Sequence, residues 1–87
     1  MLDRFLLVAN WKMYGTRGHW AQLAHEIVSQ AAAYPTVDIM LCPPYLGIPE
    51  VADLMPILQA ERPVLLGAQD VGIHEIGPHT GEIGGTM

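Results

Sequence analysis

The sequence predicts an α/β fold with parallel strands, on three observations. Three short apolar runs begin about 30 residues apart, amphipathic or apolar helical segments lie between them, and no linker or low-complexity tract interrupts the repeat. Strand–helix–strand units of this spacing join parallel strands by right-handed crossovers. The expected order is therefore β-α-β-α-β followed by a loop.

The first run predicts a strand over residues 5–10. It is continuously apolar from Phe5 to Ala9, which is typical of a strand buried on both faces. After Gly15 and Gly18 the period changes to three and four residues, which predicts an amphipathic helix that ends near Tyr34, before Pro35. The apolar face of this helix is Trp20, Leu23, Ala24, Ile27, Val28 and Ala31.

The second run predicts a strand over residues 37–42, ended by Pro43 and Pro44, which lack backbone donors. Pro49 suits the first turn of a second helix, and Pro56 should kink or stop that helix. Its apolar stripe is expected at Val51, Leu54, Met55 and Leu58, with the acidic Glu50 and Asp53 near its positive end.

The third run predicts a strand over residues 64–68, and the glycines between residues 70 and 85 predict a loop. Three parallel strands leave unpaired backbone edges and one sheet face to be covered by something else. The periodicity therefore indicates one unit, residues 1–87, that resembles a piece of a larger fold.

The composition and net charge of the chain argue against two classes of binding partner. The 87 residues are 51% apolar and 15% charged, with a net charge of −5 and no basic run, so we expect neither nucleic acid nor a membrane surface as a partner. The apolar runs are far shorter than the roughly 20 residues that span a bilayer. The single cysteine, Cys42, has no partner for an internal disulfide, which favours a reduced, cytoplasmic protein.

Three segments together resemble the triosephosphate isomerase family. Ala9-Asn10-Trp11-Lys12-Met13 follows the first predicted strand as in that family, Gly67-Ala68-Gln69-Asp70-Val71 resembles its Gly-Ala-Gln-Asn-Val, and Gly77-Pro78-His79-Thr80-Gly81-Glu82-Ile83 is similar to its long third loop. The three occur in the correct order, each at the expected strand end. The resemblance implies a fragment of a TIM (β/α)8 barrel with three parallel strands, corresponding to its amino-terminal third.

The resemblance implies roles for two residues at the end of the first strand. Lys12 would be catalytic and bind substrate, its ammonium group stabilising the negative charge of an enediolate. Asn10 would bind substrate by a side-chain hydrogen bond. The residues alone also allow a lysine leaving the core for solvent and an asparagine bonded to local backbone.

The third loop is expected to form an interface. In the family this loop inserts beside the partner's active site, which implies interface roles for His79, Thr80 and Glu82, although a glycine-rich surface turn is the plainer interpretation. The family pairs the carboxylate corresponding to Glu82 with an arginine of the fourth strand. Without that arginine, Glu82 should stay solvated or find another cation.

Neither a metal nor a cofactor is expected. His74 and His79 are five positions apart, where a helical zinc motif needs four, and His19 and His25 show no ligand pattern. Three residues depart from the family pattern: Tyr14 and Asp70 stand where asparagine is usual, and Gly84 where serine is usual. Asp70 adds negative charge near a site for a phosphate-bearing anion.

Two functions follow. The family interconverts dihydroxyacetone phosphate and glyceraldehyde 3-phosphate in glycolysis and gluconeogenesis, so triose phosphate would be the substrate of a complete barrel. The general base, the electrophilic histidine and the lid lie in later segments of the family, and we therefore expect the chain alone to be inactive. The alternative is a non-enzymatic barrel fragment that self-associates as a homo-oligomer, because an apolar chain with open strand edges needs a partner surface.

Overall fold

Three parallel strands and two helices alternate along the chain. The computed structural model describes residues 4–58 and 64–87, with the backbone alone for residues 56–58. The elements are β1 (Phe5–Asn10), α1 (His19–Ala31), β2 (Val37–Cys42), α2 (Gly47–Leu58) and β3 (Leu65–Leu66). The sheet has the order β1-β2-β3 with both pairs parallel. The predicted α/β architecture is confirmed.

The two longest strands, β1 and β2, have the predicted bounds. They pair from Phe5 opposite Val37 to Asn10 opposite Cys42. At the start of β1, the Arg4 guanidinium forms an ion pair with Asp38 of β2, and this hydrogen-bonded contact raises the pKa of Arg4 above its usual value. The pair is exposed, so it aligns the strands more than it stabilises them.

Helix α1 begins at His19, directly after Gly18, whose φ of 86° suits glycine. It buries Trp20, Ala24, Val28 and Ala31 in a core shared with β2 and the second helix, and these residues are most of the predicted apolar face. The Trp20 indole Nε1 donates to the Tyr14 carbonyl oxygen at 2.9 Å. The connection that leads from β1 to α1 is therefore anchored to the core through this side chain.

Helix α2 has Pro49 in its first turn, as predicted, and differs from its prediction at Pro56. It begins at Gly47, two residues before Pro49, and continues two residues beyond Pro56 to Leu58. Of the two expected effects of Pro56, a kink or a stop, the stop is wrong, because a proline this close to the carboxyl end removes one hydrogen bond and leaves the preceding turns intact. Val51 and Met55 are buried as expected, whereas the side chain of Leu58 lies outside the described residues.

Two expectations about burial and strand length are wrong. Strand β3 spans Leu65–Leu66 instead of residues 64–68, since only these two residues pair with β2 in the ladder. Strand β1 is not buried on both faces: the side chains of Phe5 to Val8 are 51–67% exposed. The reason is that α1 packs on β2 and α2 on β3, so that among the described residues each helix makes at most a weak contact with β1.

The centre of the core lies between β2 and α2. Leu41 and Val51 have no exposed surface, and they pack with the buried face of α1 and with Val64. The helices in the described ranges have 13 and 12 residues, too short for a membrane span. The core thus holds together the carboxyl ends of β2 and β3, where the candidate site lies.

Candidate functional site

The carboxyl ends of the three strands lie at one edge of the sheet and bring together three segments distant in sequence. They are the turn after Asn10, the end of β2 at Cys42, and the segment after β3 that carries Gln69. The Trp11 amide donates to the Cys42 carbonyl oxygen at 3.0 Å, and the Gly67 amide donates to the Leu41 carbonyl oxygen at 2.9 Å. In open and closed parallel sheets this edge is where functional loops gather.

Lys12 has a strained backbone at this edge. Its φ is 56°, and it is the only non-glycine residue with positive φ in the described ranges. The left-handed conformation costs a residue with a Cβ roughly 1–2 kcal/mol. Such strain persists where surrounding contacts impose it, and it concentrates at functional sites. Lys12 is exposed, so its ammonium group is accessible to an anion.

Two side chains hold the strained residue in place. The Asn10 side-chain oxygen Oδ1 accepts a hydrogen bond from the Lys12 amide at 2.8 Å. The Gln69 side-chain nitrogen Nε2 donates to the Lys12 carbonyl oxygen at 2.8 Å and to the Cys42 carbonyl oxygen at 2.8 Å. Both backbone polar groups of Lys12 are thus fixed by side chains, one from the end of β1 and one from beyond β3.

The structure therefore brings Asn10 and Lys12 together. The observed contact of the Asn10 side chain is a hydrogen bond with nearby backbone, whereas the role expected for Asn10 is substrate binding. Its Oδ1 is engaged by the backbone of Lys12, which leaves the Nδ2 hydrogens as the donors available to a substrate oxygen. The arrangement is a lysine with a fixed backbone beside a hydrogen-bond donor. It suits an anionic oxygen compound, because charge that develops on oxygen is stabilised by groups already in position.

The third loop carries the predicted interface residues on its surface. His79, Thr80 and Glu82 are all exposed. The Glu82 amide donates to the His79 carbonyl oxygen at 3.1 Å across a turn in which Gly81 has a φ of 82°. Glu82 occupies the solvated position that was expected in the absence of a cation. This geometry is compatible both with an interface loop and with a plain glycine-rich surface turn.

The two histidines of this loop stack on each other. The rings of His74 and His79 are 4.1 Å apart with an interplanar angle of 9°. A cavity of about 340 Å³ beside them is also lined by Asp70 and Glu82. Within residues 4–58 and 64–87 no three histidine, cysteine or acidic side chains are arranged to hold a metal ion.

Asp70 and Glu82 also act on a neighbouring tyrosine. The pKa of Tyr45 is raised above its usual value, first because its hydroxyl is desolvated, and then because of the negative charges of Asp70 and Glu82. Tyr45 lies between β2 and α2, so the carboxylates of the third loop lie near the segment that follows β2. Asp70 thus places a negative charge near Tyr45, at a position where asparagine is usual in the family that the sequence resembles.

The glycine at position 84, another departure from that pattern, has a steric reason. A Cβ built on Gly84 would lie 2.2 Å from the Glu75 carbonyl oxygen and 2.9 Å from the carbon that bears it. No side chain fits there unless the loop backbone moves. The third departure, Tyr14, is 75% exposed and contributes its carbonyl oxygen to Trp20; nothing in the structure explains the choice of its side chain.

A large cavity lies elsewhere. Its volume is about 740 Å³, and it lies between the segment after β1, the start of α1 and α2. Its lining residues are Gly15, Thr16, Arg17, Trp20, Leu46, Glu50 and Asp53. Neither Asn10 nor Lys12 is among them. In it Glu50 accepts hydrogen bonds from the Gly18 and Ala21 amides, each at 2.8 Å, and so caps the amino terminus of α1.

Sequence reasoning did not single out Gln69 as a site residue. The residue is quoted within Gly67-Ala68-Gln69-Asp70-Val71, but no periodicity or charge pattern assigns it a role. The available signal was its position: a polar side chain directly after the third apolar run lies at the same sheet edge as Lys12. A side chain with two donor hydrogens at that edge can join two strand ends.

Comparison with known proteins agrees with this geometry. The family model described as triosephosphate isomerase matches residues 5–87. The triosephosphate isomerase of Rhodopirellula baltica is 38% identical over 87 residues, which are 100% of this chain and 33% of that protein. That of Xanthomonas campestris pv. campestris (strain 8004) is 37% identical over 89 residues, covering 99% of the chain and 32% of the relative.

A third relative, the triosephosphate isomerase of Nitrosococcus oceani, is 35% identical over 82 residues, covering 94% of this chain and 31% of its own length. The chain thus spans about a third of the length of the curated relatives that it matches. The matched region contains the strand-end motifs around Lys12 and Gln69 as well as the third loop. On the strength of the strand order, these motifs and the matches, the chain belongs to the triosephosphate isomerase family.

Proposed function

We propose that this chain supplies the substrate-binding cation of a triosephosphate isomerase active site, which interconverts dihydroxyacetone phosphate and glyceraldehyde 3-phosphate when the barrel is complete. The proposal rests on the strained backbone of Lys12, fixed at the sheet edge by Asn10 and Gln69. A lysine that merely left the core for solvent would need no such conformation. A cytoplasmic location and a place in glycolysis and gluconeogenesis are part of this proposal, supported by the family and by the buried free thiol of Cys42.

The chemistry assigns Lys12 an electrostatic role. Isomerisation removes a proton from the carbon next to a carbonyl group and leaves negative charge on the carbonyl oxygen. An ammonium group held beside that oxygen stabilises the charge, and it also attracts the phosphate-bearing substrate. Asn10 contributes a hydrogen bond through its Nδ2 group. The base and the acid of the reaction come from barrel segments that correspond to the rest of the relatives' length.

A chimera tests the proposal. Residues 1–87 would replace the matched amino-terminal third of the Rhodopirellula baltica enzyme, and turnover of glyceraldehyde 3-phosphate would be followed in a coupled assay. We expect activity in the chimera and a loss of at least about 100-fold in kcat/KM in Lys12→Ala. Arg17→Ala is the matched control, since Arg17 is an exposed cation that lies outside the strand-end site; it should retain activity.

The 87-residue chain assayed alone completes the experiment. It should show no turnover above buffer, because Lys12 and Asn10 provide neither a base nor an acid. A folded chimera whose activity is unaffected by Lys12→Ala would refute the role of Lys12. Turnover by the isolated chain that disappears in Lys12→Ala would refute the dependence on the remaining barrel segments.

The exposure of β1 favours a second candidate function, the self-associating barrel fragment. Four consecutive apolar side chains, Phe5 to Val8, are more than half exposed, and large exposed apolar patches mark interaction surfaces. A homo-oligomer of the isolated chain would cover them. Light scattering coupled to size exclusion tests this function: we expect an oligomer at micromolar concentration, and a stable monomer would refute it.

A further inference from the structure

Gln69 links the strained residue Lys12 to the buried end of β2. Its side-chain nitrogen carries two hydrogens, and it donates to the Lys12 and Cys42 carbonyl oxygens at 2.8 Å in each case. The Cys42 carbonyl oxygen also accepts the Trp11 amide at 3.0 Å, and Cys42 is only 5% exposed. The end of β2 therefore fixes the position of the Gln69 amide group and, through it, the position of the Lys12 carbonyl.

The hydrogen bond from Asn10 does not by itself account for the φ of 56° at Lys12. It joins the Asn10 Oδ1 to the amide two positions further along, a local contact that asparagine side chains commonly make in turns. The left-handed conformation costs a residue with a Cβ about as much as one such bond contributes, or more. The bond from Gln69 to the other polar group of the Lys12 backbone makes the strained conformation the stable one.

The backbone conformation of Lys12 determines where its side chain begins. If φ relaxed from 56° to the ordinary right-handed value, the Cα–Cβ bond would rotate by roughly 120° about the N–Cα bond. The ammonium group is carried on a flexible four-carbon stem, so after this rotation it would approach the same point in only a fraction of its rotamers. A displacement of about 1 Å can cost 100-fold in rate when a group must meet a reacting atom.

We propose that Gln69 is a positioning residue of the active site to which Lys12 belongs. Its amide group holds the Lys12 backbone so that the ammonium group meets the oxygen on which negative charge develops. This inference rests on the function proposed above for Lys12. Gln69 itself does not bind the substrate through its donors, because backbone carbonyls use both of its side-chain hydrogens.

Positioning and a purely structural role for Gln69 predict different kinetics. Attraction between the ammonium group and a phosphate-bearing substrate acts over several ångströms and tolerates a displaced cation, whereas stabilisation of the transition state requires close contact. Loss of positioning should therefore lower kcat more than it raises KM, and it should have no further effect once the ammonium group is removed. Loss of a structural link would lower kcat by the same factor with or without the ammonium group.

The chimera that combines residues 1–87 with the rest of the Rhodopirellula baltica enzyme provides the kinetic test. Gln69→Met keeps the length of the side chain and removes both donors. We expect it to lower kcat per folded enzyme at least about tenfold and to change KM less than about threefold. In the Lys12→Ala background, Gln69→Met should change kcat less than about twofold. Gln22→Met, at an exposed position on α1, is the matched control and should change neither constant.

A crystal structure of the Gln69→Met chimera gives a readout that does not depend on activity. In it Lys12 should leave the left-handed region and adopt a negative φ. Gln69→Asn is a milder variant in case Gln69→Met does not fold. Its amide is one methylene group shorter and cannot reach both carbonyl oxygens from the same backbone position, so it should also lower kcat, by at least about threefold, with KM nearly unchanged.

Three results would overturn the proposal: a positive φ at Lys12 in the Gln69→Met chimera, an unchanged kcat in a folded Gln69 variant, or an equal loss of kcat with and without the Lys12 ammonium group. Circular dichroism would supply the folded fraction of each variant. The function proposed for Lys12 fails by a different result, namely full activity of the Lys12→Ala chimera. The two failures are therefore distinguishable in one set of variants.

Discussion

Gln69 bonds directly to the backbone of Lys12, from 57 positions further along the chain. Its side-chain nitrogen donates to the Lys12 and Cys42 carbonyl oxygens at 2.8 Å each. One amide group thus joins the end of β1 to the end of β2 from beyond β3. Its contacts explain how a strained lysine can persist at the surface of a small sheet.

Gln69→Leu should therefore lower the free energy of unfolding by about 1–3 kcal/mol, because two hydrogen bonds are lost and the Cys42 carbonyl loses one of its donors. Chemical denaturation monitored by circular dichroism would measure the loss. Gln22→Leu is the matched control, at an exposed position on α1, and should cost less than about 0.5 kcal/mol. Similar losses in the two variants would contradict the anchoring role of Gln69.

Glu50→Gln should also destabilise the chain, by about 1 kcal/mol. The Glu50 carboxylate accepts hydrogen bonds from the Gly18 and Ala21 amides, and the amide keeps one acceptor oxygen but loses the negative charge at the helix amino terminus. Thermal unfolding compared with Asp53→Asn would show the effect. Asp53 lines the same cavity, so an equal loss there would mean that general charge reduction, not capping, is responsible.

Gly84→Ala should disrupt the third loop. The added Cβ would lie 2.2 Å from the Glu75 carbonyl oxygen, a backbone atom that cannot move alone. Gly85→Ala is the control, because its Cβ would have its nearest contact at 3.7 Å, from the Val71 side chain. Limited proteolysis of the segment 70–87 should become faster in Gly84→Ala only. Equal cleavage of both variants would show that the close approach at Glu75 is not limiting.

Tyr45 should make stability fall at alkaline pH. Its pKa is raised in the folded chain by desolvation and by the charges of Asp70 and Glu82, so the unfolded chain releases the proton at a lower pH than the folded chain. The contribution is complete below the ordinary value of 10.0 and is lost as pH rises from there through the folded pKa. Tyr45→Phe should flatten the decline of the unfolding free energy above pH 10.0. Tyr34→Phe is the comparison, and identical pH profiles for the two variants would contradict the assignment.

The sequence predicts the bounds of β1 and β2 better than the surfaces that these strands expose. The apolar runs located β1 and β2 to the residue, because a continuous apolar run bounded by polar residues or prolines has few alternatives. They could not show that Phe5 to Val8 are exposed, since burial depends on which elements cover a strand. Strand β3 is shorter than its apolar run because pairing with β2 extends over only two residues.

The candidate site was predicted in part. The resemblance identified Asn10 and Lys12, and the structure brings them together. It could not indicate that the Asn10 oxygen is used by the Lys12 amide, or that Gln69 supplies the third contact, because these depend on the positions of strand ends in space. The effect of Pro56 could not be predicted from the sequence either, because it depends on how much of the helix remains beyond the proline.

The positive φ of Lys12 lowers folding stability at the same position that carries the ammonium group proposed to bind substrate. Glycine would adopt 56° without the clash of a Cβ, so Lys12→Gly should raise the free energy of unfolding by about 1 kcal/mol while it deletes the ammonium group. Denaturant titration would measure the gain. Any selection of this chain for thermostability alone would therefore favour loss of the residue that we propose binds the substrate.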